Sequence, residues 1–244
     1  MEGNEVRAVL FDVFGTLVDW RGGVARELAA FGRERGVEAD WNAFADAWRA
    51  AYVPSMERVR RGELPWMNLD ELQTRSFIEL APRFGLPALD ATEIRRCVDG
   101  WHRLDPWPGV RDGLELLRRD YVLATLSNGN LSLLIDLARR GDLRFDALLC
   151  SEVFRHYKPD PETYLGASAM LGLHPKNVVL VAAHAGDLRA AASQGLRTAF
   201  FARPNEFGSP EKADPAPRGE VDFVVANFGQ LAKELATFPT GKRA

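Results

Sequence analysis

Cysteine is scarce in this chain: Cys97 and Cys150 are the only two in 244 residues. Two thiols cannot build the disulfide framework of a small secreted scaffold, and neither has the neighbours of a metal ligand or a nucleophile. They read as small buried hydrophobes in a reducing cytosol. No apolar run is long enough to span a bilayer. Residues Met1 to Val6 lack the basic and apolar regions of a secretory signal. Positive charge is not in excess, since the formal net charge is -3. Without a basic stripe there is no footprint for nucleic acid. The one basic cluster, Arg58-Val59-Arg60-Arg61, reads as a solvated helix face. No internal repeat is found. These absences leave a cytoplasmic enzyme acting on a small molecule, with no membrane and no nucleic acid as partner.

The length suits one large core, or a core carrying a smaller insertion. Ala8 to Phe11 is a short apolar run that fits a strand buried on both faces. From Gly22 to about Trp101 the pattern is helical. Val24, Leu28 and Phe31 fall at helical spacing, and Gly36 closes that helix. Trp41, Phe44, Ala45 and Trp48 repeat the spacing, with Pro54 expected to end or kink the helix. Leu64 to Met67 is a break. Leu69 to Phe84 and Thr92 to Trp101 are helical again.

After Pro106-Trp107-Pro108-Gly109 helices and strands alternate. Strands are expected at Tyr121–Leu126, Ala147–Val153, Asn177–Ala183, Thr198–Ala202 and Val221–Val225. Helices are expected at Val110–Arg119, Leu131–Arg140, Pro161–Leu171, Leu188–Gln194 and Phe228–Leu235. Pro204 to Glu220, with its four prolines, reads as a surface loop, and Thr240 to Ala244 as a disordered tail. Alternation of this kind implies a parallel sheet with right-handed crossovers. The fold class is therefore α/β: a Rossmann-like parallel-sheet core, residues 1–18 and 102–244, with an inserted helical cap over residues 19–101.

In such a sheet the carboxyl ends of the strands collect at one edge, where ligands bind. Asp12, Ser127-Asn128, Lys158 and Asp187 all follow strands and so converge there. Asp12 could be a nucleophile or merely cap a turn. Ser127-Asn128 alone is an ordinary N-capping turn. A lysine beside a carboxylate keeps it ionised, which favours a functional Lys158. Tyr164 could reach back into the crevice from the following helix, and His184 sits at the mouth of a strand.

Asp12-Val13-Phe14-Gly15-Thr16 resembles the first motif of the haloacid dehalogenase (HAD) superfamily, in which the matching aspartate is the nucleophile. Superfamily phosphatases carry a second Asp two residues on, where this chain has Phe14. In the fourth motif they hold Mg²⁺ with two acids four residues apart; here those positions are Ala183 and Asp187. The oxygen-rich site that Mg²⁺ needs is therefore poor, and a leaving group that needs no proton, such as halide, fits better. Leu126-Ser127-Asn128-Gly129 and Tyr157-Lys158-Pro159-Asp160-Pro161 bring the resemblance closer, to the type II L-2-haloacid dehalogenases.

That resemblance implies hydrolysis of a short 2-haloalkanoic acid to the 2-hydroxy acid and halide through an ester on Asp12, with no metal and no organic cofactor. It implies roles for Thr16, Lys158, Tyr164 and Asp187 around the nucleophile and water. Backbone amides near Val13 and Phe14, with Ser127, would hold the substrate carboxylate. Arg49 and Asn128 would take the halide, and Trp66 or Met67 would line its pocket. The resemblance also admits a homodimer. Two departures stand out: Ala182-Ala183-His184 replaces Ser-Ser-Asn, and Gly186 stands where some members have tryptophan. They suggest that His184 supplies a second halide donor or helps activate water. The alternatives are a HAD phosphatase, a hydrolase of another substituted carboxylic acid by the same ester chemistry, and a binding module with a relic site.

Overall fold

A computed structural model of the protein describes residues 5–86 and 88–237. The expected disordered tail lies outside the described residues. The chain opens with β1 (Ala8–Phe11) and then runs through α1 (Trp20–Arg35), α2 (Trp41–Arg60), α3 (Leu69–Leu80), α4 (Ala91–Val98) and α5 (Val110–Leu117). Alternation begins there: β2 (Val122–Ser127), α6 (Leu131–Arg140), β3 (Ala147–Cys150), α7 (Ser151–Phe154), α8 (Pro161–Met170), β4 (Val178–Ala182), α9 (Ala185–Ser193), β5 (Arg197–Phe201), β6 (Phe223–Val225) and α10 (Phe228–Thr237).

The strands form one parallel sheet of order β3-β2-β1-β4-β5-β6. The first three strands step one way from β1, and the last three step the other way. β1 and β4 therefore flank the point where the direction of winding reverses, and the crevice opens beyond their carboxyl ends. β1 is buried on both faces. Val9 and Phe11 join the core that runs on among α1 to α4, while Ala8 and Leu10 join the core on the opposite face. Burying Val9, Leu10 and Phe11 stabilises the fold by about 1.5–3 kcal/mol each, which makes β1 a rigid base for the turn beyond its carboxyl end.

Phe44 and Trp48 on α2 pack against Phe77 on α3, and Trp48 meets Trp101 edge-on at 5.6 Å. Gly36 closes α1 at φ 65°, as the sequence pattern indicates. Three expectations shift. α2 runs through Pro54, because Tyr52 and Met56 on either side of it are both buried and hold the two halves on the core. The third strand stops at Cys150 rather than Val153, since Ser151 turns its hydroxyl onto Asn128 Oδ1 at 2.7 Å and the chain coils into α7. α9 begins at Ala185, so Asp187 lies in its first turn. Cys97 and Cys150 are buried free thiols. Arg58, Arg60 and Arg61 are exposed, as the sequence pattern indicates, and Arg60 also pairs with Asp160 at 2.6 Å.

The segments that lead from β1 into α1 and from α4 into α5 run side by side. Asp19 donates its N–H to Asp105 O at 3.0 Å, and Trp107 donates to Leu17 O at 2.9 Å. Further along, His102 lies between Asp70 on α3, at 3.1 Å from Nε2, and Asp136 on α6, at 2.7 Å from Nδ1. Burial works against its charged form, but the two carboxylates overcome this and raise its pKa.

A raised folded-state pKa makes this bridge strongest in acid. Its contribution is complete below the ordinary histidine value near 6.5 and is lost as pH rises through the raised value. His102→Gln is expected to destabilise the protein by about 1.5–3 kcal/mol at pH 6, with a smaller deficit at pH 9. Urea melts at the two pH values test this, and a deficit that grows with pH would refute the charged bridge.

Candidate active site

β1 delivers Asp12 to the crevice. The Asp12 N–H donates to Val181 O at 3.0 Å, which ties the end of β1 to β4. The chain then turns at Gly15, whose φ of +82° suits glycine, and Thr16 folds back. Thr16 Oγ1 donates to Asp12 Oδ2 at 2.7 Å and accepts the Ala183 N–H at 2.9 Å. Lys158 Nζ reaches Asp12 Oδ1 at 2.9 Å and also Asp187 Oδ2. Tyr164 on α8 donates to Asp187 Oδ1 at 2.7 Å. His184 Nδ1 lies 3.2 Å from Asp12 Oδ2. The structure thus brings Asp12, Thr16, Lys158, Tyr164, His184 and Asp187 into one hydrogen-bonded group.

The charges follow from these contacts. Burial by itself would raise the pKa of Asp12, but the Lys158 ammonium and the His184 and Thr16 hydrogen bonds hold it far below the usual carboxylate range. Burial would lower the pKa of Lys158, yet Asp12 and Asp187 push it up. Burial also disfavours charge on His184, but its hydrogen bonds to Asp12 and Glu206 push its pKa up to about 10. The resting site therefore holds an ionised Asp12 between two cations. Burial and the neighbouring Asp187 keep Tyr164 a neutral phenol.

A cavity of about 410 Å³ opens onto Asp12 and is lined by Arg49, Tyr52, Asn128, Lys158, His184 and Asp187 among others. Arg49 stacks its guanidinium over Tyr52, 4.3 Å from the ring centre. Its Nη1 is buried and has no hydrogen-bond partner among the described residues. Asn128 Oδ1 accepts from Ser151 Oγ at 2.7 Å and from the Lys158 N–H at 2.8 Å. Both donors take the oxygen, which turns the amide NH₂ towards the Tyr52 hydroxyl on the cavity wall.

Other expected residues sit differently. Ser127 is buried and its Oγ accepts the Gly129 N–H at 3.1 Å; it does not line the cavity. Val13 and Phe14 bury their side chains, and the turn uses Val13 O and the Gly15 N–H, not the Val13 and Phe14 amides. Trp66 is not brought to the cavity. It stacks on Tyr157 at 4.9 Å, and the Tyr157 hydroxyl donates to Met67 O at 2.8 Å. Tyr52, Val53 and Met56 form the apolar wall instead.

Oxygen ligands are sparse where a HAD metal site would need them. Phe14 is a buried ring packed edge-on against Trp101 at 5.7 Å, and Ala183 offers only a methyl group. One group of three metal-type side chains forms among the described residues, His156, Asp160 and Glu162, but none of them lines the cavity and Asp160 is already paired with Arg60.

Two acids escaped the sequence reading. Glu206 and Asp214 lie in the stretch expected to be a surface loop. Yet Glu206 is 2% exposed, and its Oε1 lies 2.9 Å from His184 Nε2. Asp214 Oδ2 accepts the Ala185 N–H at 3.0 Å at the start of α9. The signal in the chain was position: this loop comes after β5, whose carboxyl end lies beside that of β4.

A family model for haloacid dehalogenase-like hydrolases matches residues 6–195. The (S)-2-haloacid dehalogenase 4A of Burkholderia cepacia is 30% identical, over 95% of this chain and 97% of its own length. The solved L-2-haloacid dehalogenase PA0810 is 47% identical with a TM-score of 0.90, over 95% of this chain and 99% of that one. A solved defluorinating L-2-haloacid dehalogenase is 42% identical with a TM-score of 0.91, over 95% of each chain. Sheet order, motif geometry and these similarities agree: the chain belongs to the haloacid dehalogenase-like hydrolases, among the L-2-haloacid dehalogenases.

Proposed function

We propose that this protein is a hydrolytic (S)-2-haloacid dehalogenase that works through an ester on Asp12. The observation that carries the reading is the pairing, in one cavity, of a buried ionised carboxylate with a buried guanidinium nitrogen that lacks a partner among the described residues. A nucleophile faces a waiting anion acceptor.

Asp12 Oδ2 accepts two hydrogen bonds and Oδ1 one, so Oδ1 keeps the freer lone pair. It attacks C2 of the haloacid from the side opposite the halogen, which inverts that carbon. The carbon–halogen bond breaks with its electron pair, and the halide leaves towards Arg49 and the Asn128 amide. Hydrogen bonds that strengthen as charge grows on the halide lower the barrier, whereas equal binding of substrate would lower only KM. Water then adds to Cγ of the ester, with Lys158, Asp187 and Tyr164 holding the group in place. The backbone amides after Asp12 and Ser127 position the substrate carboxylate. The insertion, residues 19–101, acts as the cap over the core, residues 1–18 and 102–244, and it flexes at the paired crossings to exclude water. The phosphatase alternative lacks a proton donor two residues after the nucleophile, where Phe14 stands.

The test is halide release from chloroacetate, bromoacetate, fluoroacetate and each 2-chloropropionate enantiomer, with EDTA present. Fluoroacetate is included because one solved neighbour is a defluorinating dehalogenase. Release from the (S) enantiomer with formation of (R)-lactate is expected. No halide from any of these acids, together with Mg²⁺-dependent phosphate release from small esters, would overturn the reading. Arg49→Met should lower kcat/KM by about 10- to 100-fold, the loss of one hydrogen bond to a charged group. An unchanged kcat/KM would remove Arg49 from the halide site.

A further inference from the structure

Two of the segments that line the cavity lean on the start of α3. Tyr157, one residue before Lys158, donates its hydroxyl to Met67 O at 2.8 Å. Asn130, two residues after Asn128, donates its Nδ2 to Asp70 Oδ2 at 3.0 Å. Glu152, next to the Ser151 that holds Asn128, accepts from Asn68 Nδ2 at 3.3 Å and from the Leu131 N–H at 2.8 Å. Asn68 and Glu71 close a capping box, so this is an ordered helix end and not a loose loop.

His102 holds the same helix end. Its Nε2 lies 3.1 Å from each oxygen of Asp70, and its Nδ1 lies 2.7 Å from Asp136 Oδ2 on α6. An ionised carboxylate only accepts hydrogen bonds, so both ring nitrogens must donate and the ring must be a cation. A neutral ring would turn a lone pair onto one of the two carboxylates. The ring is 7% exposed, so water does little to relieve that contact. The other charged groups around it are Arg95 on α4, Asp99 and Arg103 on its own stretch of chain, and Arg140 on α6. Each arginine is paired elsewhere: Arg95 with Asp99 at 2.7 Å, Arg103 with Glu27 on α1 at 2.6 Å, and Arg140 with Asp105 at 2.8 Å. His102 is thus the cation in contact with Asp70.

We propose that His102 is a positioning residue: as a cation it seats the start of α3, which keeps the Asn128 and Lys158 segments aligned with Asp12, and loss of its proton loosens both. Its consequence for rate rests on the dehalogenase reading above; the seating of α3 does not. The two carboxylates raise the pKa of the ring, so the junction is closed at neutral pH and slackens as pH rises above the ordinary histidine range. Asn128 and Lys158 act on charge that moves during the reaction. Slack in their segments therefore lowers kcat more than it raises KM.

The test is the alkaline limb of kcat for halide release from 2-chloropropionate. Asp136 is exposed and does not line the cavity, so Asp136→Asn spares the fold while removing one of the two carboxylates that keep the ring charged. Its alkaline limb should lie about one pH unit below that of the wild type, with kcat at pH 6 within about twofold. His102→Gln should lack this limb, with kcat lowered about 10-fold and KM changed by about threefold or less. His184 titrates in the same protein, so the comparison among variants carries the test. A purely structural histidine would leave the limb where it is. Amide hydrogen exchange over residues 68–72 reads the same event without substrate. Corrected for intrinsic rates, protection there should fall by about 10-fold relative to α5 between pH 7 and pH 9 in the wild type, fall at lower pH in Asp136→Asn, and be low throughout in His102→Gln. A limb at the same pH in all three proteins, or exchange at residues 68–72 that ignores pH, would overturn the role of His102 and leave the dehalogenase reading intact. No halide from the wild type, with the exchange pattern as expected, would overturn the dehalogenase reading and leave the seating of α3 by His102 in place.

Discussion

Asp12→Asn is expected to lower kcat by about 10⁴-fold or more while the protein stays folded. Asparagine matches aspartate in shape, so it can still accept from Thr16 and leave β1 tied to β4. Lys158 keeps Asp187, and His184 keeps Glu206. Both cations therefore retain a carboxylate, and the cost of leaving a buried charge unpaired is avoided. What disappears is the ionised oxygen that attacks C2. The neighbouring carboxylates are engaged elsewhere: Asp187 by Lys158 and Tyr164, Glu206 by His184 and Trp20, Asp214 by the Ala185 N–H and Glu57 by Arg60. Halide release, far-UV circular dichroism and intact mass would be measured on the same preparation. The mass matters because deamidation of the introduced asparagine would restore the nucleophile. Substantial turnover by protein shown to carry intact asparagine would sink the assignment.

The second large effect is expected at Lys158. Its ammonium bridges Asp12 and Asp187 in a site from which water is largely excluded; its own side chain is 8% exposed. Lys158→Met leaves two buried carboxylates facing each other with one cation fewer. Burial then acts on Asp12 with less opposition, and its pKa rises. The acid limb of kcat/KM should move up by about one to three pH units, with activity at pH 7 down by about 10²-fold or more.

Stability at pH 7 should fall by about 3–5 kcal/mol, the usual cost of removing one partner of a buried ion pair. The sign with pH is definite. Asp12 is depressed in the folded protein, so its pairing stabilises the fold above the ordinary carboxylate value of 3.8 and is lost as pH falls below it. The wild-type advantage over Lys158→Met should therefore shrink on acidification. Denaturant melts between pH 3.5 and pH 7.5 would check this, and an advantage that widened in acid would contradict the pairing.

Much of this protein is written in short-range pattern. The apolar run Ala8 to Phe11, followed by Asp12 and a glycine turn, marks a central strand with a carboxylate at its end, because burial on both faces and strand termination are local demands on residue type. Leu131 to Arg140 is legible as a helix from its apolar period alone, and the observed bounds agree. Pro54 shows the limit of local rules. Its ring breaks a helix in isolation, but burial of Tyr52 and Met56 on either side outweighs the lost hydrogen bond.

Trp66 and Glu206 show the same limit at the site. A tryptophan near the right sequence position was drawn instead to stack on Tyr157. A glutamate in a proline-rich stretch, which composition marks as surface, was carried into the centre by its connection to β5. No periodicity encodes such a placement.

Residue order alone was enough for the fold class, the sheet-edge motifs and a candidate nucleophile in Asp12, since each depends on residue types within a few positions of one another. Which groups complete the site was settled by folding in three dimensions. The separation of Lys158 from Asp12 is 146 residues, that of Trp20 from Glu206 is 186, and Arg49 reaches the cavity from α2. Such pairs form because parallel strands bring their carboxyl ends to one edge and a continuous apolar core fixes the loops above it. The charge on His184 follows from those same long-range contacts, because a side chain's protonation is set by the groups that folding places beside it, not by its neighbours in sequence.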